Sequence, residues 1–163
     1  MTVLYLHGLE SKLNPAKRTI LEKYGKVIAP NLDYYNDPNV FDLLLNLIHD
    51  QEIDVVIGSS MGGFMGYYIA NTIQKPALLF NPALPYRSVL QNVPELDILK
   101  PSRLLHFALG DGDEIIKASD NLKWISENRN ALSDIKINIH SQMEHQIPVA
   151  IFEIEVGAFL SQF

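Results

Sequence analysis

Asp54-Val-Val-Ile-Gly-Ser-Ser-Met-Gly-Gly63 reads as a buried strand that turns sharply into a helix. Val55, Val56 and Ile57 form a short β-branched run, and apolar residues recur at helical spacing from Met61 onward. The turn between them, Gly58-Ser59-Ser60-Met61-Gly62, has the G-x-S-x-G pattern of a nucleophile elbow. Such a turn holds its central Ser on strained backbone, so that the hydroxyl stands clear at the end of the strand. Side chains at Gly58 or Gly62 would crowd the point where strand and helix backbones pass close together. The helix N-terminus then offers N–H groups to a developing oxyanion. The bare pattern is weak; its position between an apolar strand and an apolar helix makes it specific.

Working outward, short apolar runs alternate with longer helical patterns. Strands are predicted at Val3–Leu6, Lys26–Pro30, Val55–Ile57, Ala77–Phe80, Leu104–Leu109 and Lys136–His140. Each is short and apolar, as fits strands covered on both faces. Helices are predicted at Pro15–Tyr24 (Asn14 as N-cap, Gly25 as stop), Val40–Gln51, Met61–Ile73, Ser119–Asn130 and Pro148–Gln162. A shorter one is predicted over Tyr86–Leu90. This alternation implies an α/β fold, a three-layer sandwich of about six mostly parallel strands with helices on both faces. Ligands of such sheets bind at the carboxyl ends of the strands, which directs attention to the residues just after each one.

Composition sets the outer bounds. The chain has 163 residues, a length that suits a single domain over residues 1–163 with a sizeable core. Hydrophobic residues make up 47% and charged residues 20%, and the net charge is −6 without a basic cluster. That balance speaks against nucleic-acid and membrane-surface partners. The absence of Cys excludes disulfides, thiolate metal sites and a Cys nucleophile. No signal-peptide pattern and no membrane-length apolar run is present, so a cytoplasmic protein is expected. Oligomeric state is open.

Three loops carry the remaining chemistry. After the first strand comes His7-Gly8-Leu9-Glu10-Ser11, the place for a second oxyanion-hole N–H. Leu9 is the candidate, with Met61 beside the nucleophile as the other. His7 is expected to shape that loop. After the fifth strand comes Gly110-Asp111-Gly112-Asp113-Glu114, where an acid that orients a catalytic His belongs. Asp113 is the first candidate, then Asp111, then Glu114. The alternating acids suggest a cation, but the distal ligands of a Ca²⁺ loop are missing, so neither metal nor other cofactor is expected. After the last strand comes Ser141-Gln142-Met143-Glu144-His145, and His145 is the candidate base. The chain order Ser, Asp, His is that of the α/β-hydrolases. His140, at the strand end, is its rival; His49 and His106 read as surface and core positions. Leu9, Tyr34, Tyr35, Leu84 and Tyr86 are candidate substrate contacts because they follow strands, although aromatics there serve equally well in packing.

Taken together, Leu4-Tyr5-Leu6-His7-Gly8 with Ala16-Lys17, Gly58-Ser59-Ser60-Met61-Gly62-Gly63, Asn81-Pro82-Ala83, Gly112-Asp113-Glu114 and the His145 loop resemble the YqiA-like esterases, short bacterial α/β-hydrolases. The resemblance spans nearly the whole chain. It implies a serine esterase or thioesterase without cofactor, with Ser60 as nucleophile, Asp113 as acid and His145 as base. Two departures stand out. Only about twenty residues separate Asn81-Pro82 from the Leu104 strand, fewer than the partly helical insertion of that group, which predicts an open site with little or no lid. The approach to His145 is Ser-Gln-Met-Glu where the group has a Gly-rich one. Other activities fit the same chain: a non-catalytic module holding a small anion or phosphate at the helix N-terminus, or an acyltransferase or perhydrolase using the same triad. G-x-x-x-x-G-K-[ST] and G-x-G-x-x-G are absent, which leaves nucleotide binding unsupported.

Overall fold

A computed structural model describes residues 1–96, 103–129 and 133–163. Six strands form one sheet: β1 (Thr2–Leu6), β2 (Lys26–Ile28), β3 (Val55–Ser59), β4 (Ala77–Phe80), β5 (Leu105–Gly110) and β6 (Ile135–His140). Their order across the sheet is β2-β1-β3-β4-β5-β6, and every pairing is parallel. All carboxyl ends therefore lie along one rim. The chain first adds β2 on one side of β1 and then returns to add β3 on the other. The strand order thus reverses between β1 and β3, the switch point at which such sheets open a crevice. The register pairs Leu6 with Gly58, which brings the loops after β1 and β3 side by side.

Side-chain alternation along the strands divides the core in two. Leu4, Leu6, Val56, Leu79, Phe107 and Leu109 face α2 (Val40–Ile48), α3 (Met61–Ile73) and α4 (Ala118–Asn128). Val3, Tyr5, Val55, Ile57, Leu78 and Phe80 face α1 (Pro15–Glu22) and α5 (Val149–Leu160). The central strands β1, β3, β4 and β5 are buried on both faces, which explains their unbroken apolar sequences.

Local chemistry places the helix starts. Asn14 caps α1 by accepting the Lys17 N–H at 2.8 Å, and Pro15 opens the helix. α1 stops at Glu22, short of the expected Tyr24, and α2 stops at Ile48, short of Gln51. The expected end of α4 at Asn130 lies outside the described residues. Tyr86–Leu90 is not helical. Pro85 precedes it, and the next residue, Gln91, donates from Nε2 to the carbonyls of Tyr34 and Asp37, tying the segment to the loop after β2. Those long-range bonds replace the local ones a helix would make.

The edge strand β6 departs from the expectation of burial on both faces. Ile137 and Ile139 are exposed, whereas Asn138 and His140 turn toward α5. The cause is Glu155 on α5, almost fully buried. Its carboxylate accepts from Asn138 Nδ2 at 2.9 and 3.1 Å and from His140 Nε2 at 2.6 Å. His106 Nε2 on β5 lies 3.0 Å away, off the line of an ideal hydrogen bond. Burial raises the pKa of Glu155, but its His and Asn partners outweigh that and bring it down to about 2. His106 and His140 thus serve to bind α5 to the sheet.

Candidate active site

Ser60 stands at the switch point with φ 56° and ψ −117°, a left-handed conformation rare for a residue with a Cβ. Three backbone bonds hold it there. Its N–H donates to Phe80 O at 3.0 Å, and its carbonyl accepts from Phe64 N at 2.9 Å and Ala83 N at 3.0 Å. The flanking glycines are needed for close approach. A Cβ at Gly58 would strike the Gly62 carbonyl, and one at Gly62 would strike the carbonyls of Leu6, at the end of β1, and His7, just after it. The elbow is therefore wedged against two strands as well as its own helix, which overdetermines the strained Ser60 backbone.

Met61 is the first residue of α3, so its N–H has no intrahelical acceptor. Across the crevice, the Leu9 N–H makes no backbone hydrogen bond among the described residues. The loop carrying Leu9 is shaped from beneath by His7. Leu32 N–H donates to His7 Nε2 at 2.9 Å, so that nitrogen is the acceptor and the proton sits on Nδ1. Nδ1 then donates to Gly8 O at 2.6 Å. Tyr34 completes the support: its hydroxyl donates to His7 O at 3.1 Å, and its ring meets the imidazole edge-on.

On the other side, His145 Nδ1 donates to Asp113 Oδ2 at 2.8 Å. Asp113 is only 2% exposed. Its second oxygen, Oδ1, accepts the Ile115 and Ile116 N–H groups, each at 2.8 Å. Burial pushes the Asp113 pKa up, but His145 and the two amides together outweigh it and hold the carboxyl below its ordinary value. The neighbouring acids take other roles. Asp111 accepts the Gln142 N–H through Oδ1, which fastens the loop after β5 to the loop after β6, and Glu114 is exposed. His140, the rival base, is engaged with Glu155.

One residue that positions the site carried no assigned role in the sequence. Asn81, buried after β4 with φ 39°, accepts Gly110 N–H through Oδ1 at 2.7 Å and donates from Nδ2 to Glu144 O at 3.0 Å. It holds the Asp113 loop and the His145 loop in register with each other. Asn-Pro-Ala was visible as a motif, but these partners lie far along the chain and only the fold brings them together.

Ser60, Met61, Leu9 and His145 line one cavity of about 450 Å³, together with Tyr86, Arg87, Lys12, Lys17, Ile115 and Ile116 among others. Of the expected substrate contacts, Leu9 and Tyr86 lie on its wall. Tyr34, Tyr35 and Leu84 do not: Tyr34 supports His7 in the core, Tyr35 points to solvent and Leu84 packs in the larger apolar cluster. Position after a strand selects a rim, and neighbouring residues on that rim alternate between core, solvent and cavity. Among the described residues, no group of His, Asp and Glu is arranged to hold a metal ion. No helix among them is long and apolar enough to cross a membrane.

Sheet order, elbow and loops together have the architecture of an α/β hydrolase. The chain belongs to the uncharacterised protein family UPF0227, whose profile matches residues 2–103. Solved structures share the fold over 99% of this chain. An alpha/beta-superfamily protein from Xanthomonas campestris pv. campestris matches with a TM-score of 0.73 at 16% identity, over 99% of its own length. The fluorophosphonate-binding serine hydrolase FphF of Staphylococcus aureus matches with a TM-score of 0.69 at 17% identity, over 82% of its length. A carboxylesterase of Bacillus cereus matches with a TM-score of 0.67 at 16% identity, over 88% of its length.

Proposed function

We propose that this α/β hydrolase cleaves carboxylic esters or thioesters through a covalent acyl-enzyme on Ser60. The observation that carries the reading is the 2.8 Å bond from His145 Nδ1 to Asp113 at the cavity that also holds Ser60. Donation from Nδ1 leaves Nε2 as the basic nitrogen, the tautomer a general base requires. Ser60 Oγ attacks the carbonyl carbon while His145 Nε2 takes the hydroxyl proton, and the imidazolium is stabilised by Asp113. The carbonyl oxygen gathers negative charge and is held by the Leu9 and Met61 amides. Collapse of the tetrahedral intermediate returns the proton to the departing alcohol or thiol. Water, activated by the same His, then releases the acid and restores Ser60.

The test is covalent labelling of Ser60. A serine-directed fluorophosphonate should modify the wild-type chain at Ser60, the chemistry for which the Staphylococcus aureus neighbour is named. Ser60→Ala should abolish both labelling and turnover of a nitrophenyl ester panel while the fold persists. Full activity in Ser60→Ala would refute the mechanism.

A further inference from the structure

The cavity beside Ser60 is lined by Lys12, Lys17 and Arg87, and among the described residues no Asp or Glu lines it. That is unusual in a chain with 19 acidic and 13 basic residues. Among the described residues none of the three cations is ion-paired, whereas Arg18 on α1 and Lys23 just after it are paired with Glu22 and Glu153. Cations drawn partly out of water without a carboxylate partner are costly, and a ligand of opposite charge removes that cost.

Both partly buried cations are positioned. The Arg87 guanidinium lies 4.0 Å above the centre of the Phe64 ring, and its Nε is buried without a hydrogen-bond partner. Contact with the ring restricts the guanidinium, whose fork of donors suits a carboxylate or phosphate. Lys17 is held over the Phe152 ring at 5.2 Å, on the opposite face of the sheet from Phe64. Burial lowers its pKa, the signature of an ammonium that lacks a counter-ion. The two approach the cavity from different segments, Lys17 from the first turn of α1 and Arg87 from the loop after β4, with Lys12 exposed at the mouth.

We propose that this cavity takes an ester whose acyl or alcohol part carries an anionic group, a carboxylate or phosphate, held by Lys17 and Arg87. The inference rests on the hydrolase reading of Ser60 and names the substrate class of that site. The neutral part of the substrate meets Tyr86, Ile115 and Ile116 on the same wall.

Two matched pairs of esters test it. The 4-nitrophenyl monoester of adipate against 4-nitrophenyl hexanoate places the charge on the acyl side. Acetoxybenzoate against its methyl ester places it on the leaving side. The readout is the anionic-to-neutral ratio of kcat/KM in each variant divided by that of wild type, which cancels intrinsic reactivity. In one of the two pairs, Lys17→Met and Arg87→Met should each lower that ratio about tenfold or more, and added salt should lower it in wild type. Lys23→Met, a cation paired with Glu153 outside the cavity, should leave it unchanged. Unchanged ratios for Lys17→Met and Arg87→Met in both pairs would overturn the proposal and leave the hydrolase reading standing. Failure of every ester together with failure of fluorophosphonate labelling would retire the hydrolase reading instead. Calorimetric titration with adipate would then decide the anion site: binding lost in Lys17→Met upholds it, and no binding to wild type overturns it.

Discussion

Replacing Ser60 by Gly should stabilise the protein while removing the proposed nucleophile. Ser60 holds φ 56° and ψ −117°, a region in which a Cβ clashes with the neighbouring backbone. A residue so held stores roughly 1–3 kcal/mol. Glycine releases that strain, but it also frees the unfolded chain, which costs about 0.4–1 kcal/mol. The net gain is about 1 kcal/mol, equivalent to a rise in Tm of about 2–4 °C for a domain of this size. Ser60→Ala is the control, because it removes the hydroxyl and keeps the Cβ, and with it the strain. Neither change opens a large core void, since the side chain reaches the cavity. Urea unfolding followed by the fluorescence of Trp124, which packs edge-on against Tyr67 at 5.3 Å, measures the difference. The slopes of the two transitions should agree, so that the midpoints report stability. A Ser60→Gly chain no more stable than Ser60→Ala would refute the claim that the elbow is strained and held by its surroundings.

Two further expectations concern acids and bases. Asp113→Asn and His145→Gln should each lower kcat by orders of magnitude, whereas Asp111→Asn and His140→Gln should cost far less. Asp111 fastens the Gln142 amide and His140 binds Glu155, so neither touches the reacting atoms; a crippling Asp111→Asn with a mild Asp113→Asn would reverse the assignment of the acid. Glu155 has its pKa lowered from 4.5 to about 2, so its contribution to stability is complete above about pH 4.5 and is lost as pH falls toward 2. Glu155→Gln should therefore cost about 3 kcal/mol at neutral pH, with the gap to wild type closing across that window in urea titrations.

Much of the molecule was legible in the residues themselves. All six strands and five of the six predicted helices are present, because a sheet covered on both faces writes itself as short apolar runs, and caps such as Asn14-Pro15 act locally. The elbow was equally readable, since Gly58 and Gly62 are demanded by contacts within one short turn and the strand beside it. The false helix at Tyr86–Leu90 shows the limit: local pattern was overridden by Gln91, whose bonds reach back to the loop after β2. The candidate site divides the same way. Chain order pointed to Ser60, Asp113 and His145, but the 2.8 Å bond between the last two exists only because β5 and β6 lie side by side. Tertiary structure alone separated Tyr86, on the cavity, from Tyr34, beneath it, because a rim position says nothing of which way a side chain turns. It alone gathered Lys17 and Arg87 around one space, for charges scattered along an acidic sequence converge only when the segments that carry them, here the start of α1 and the loop after β4, meet at one rim of the sheet.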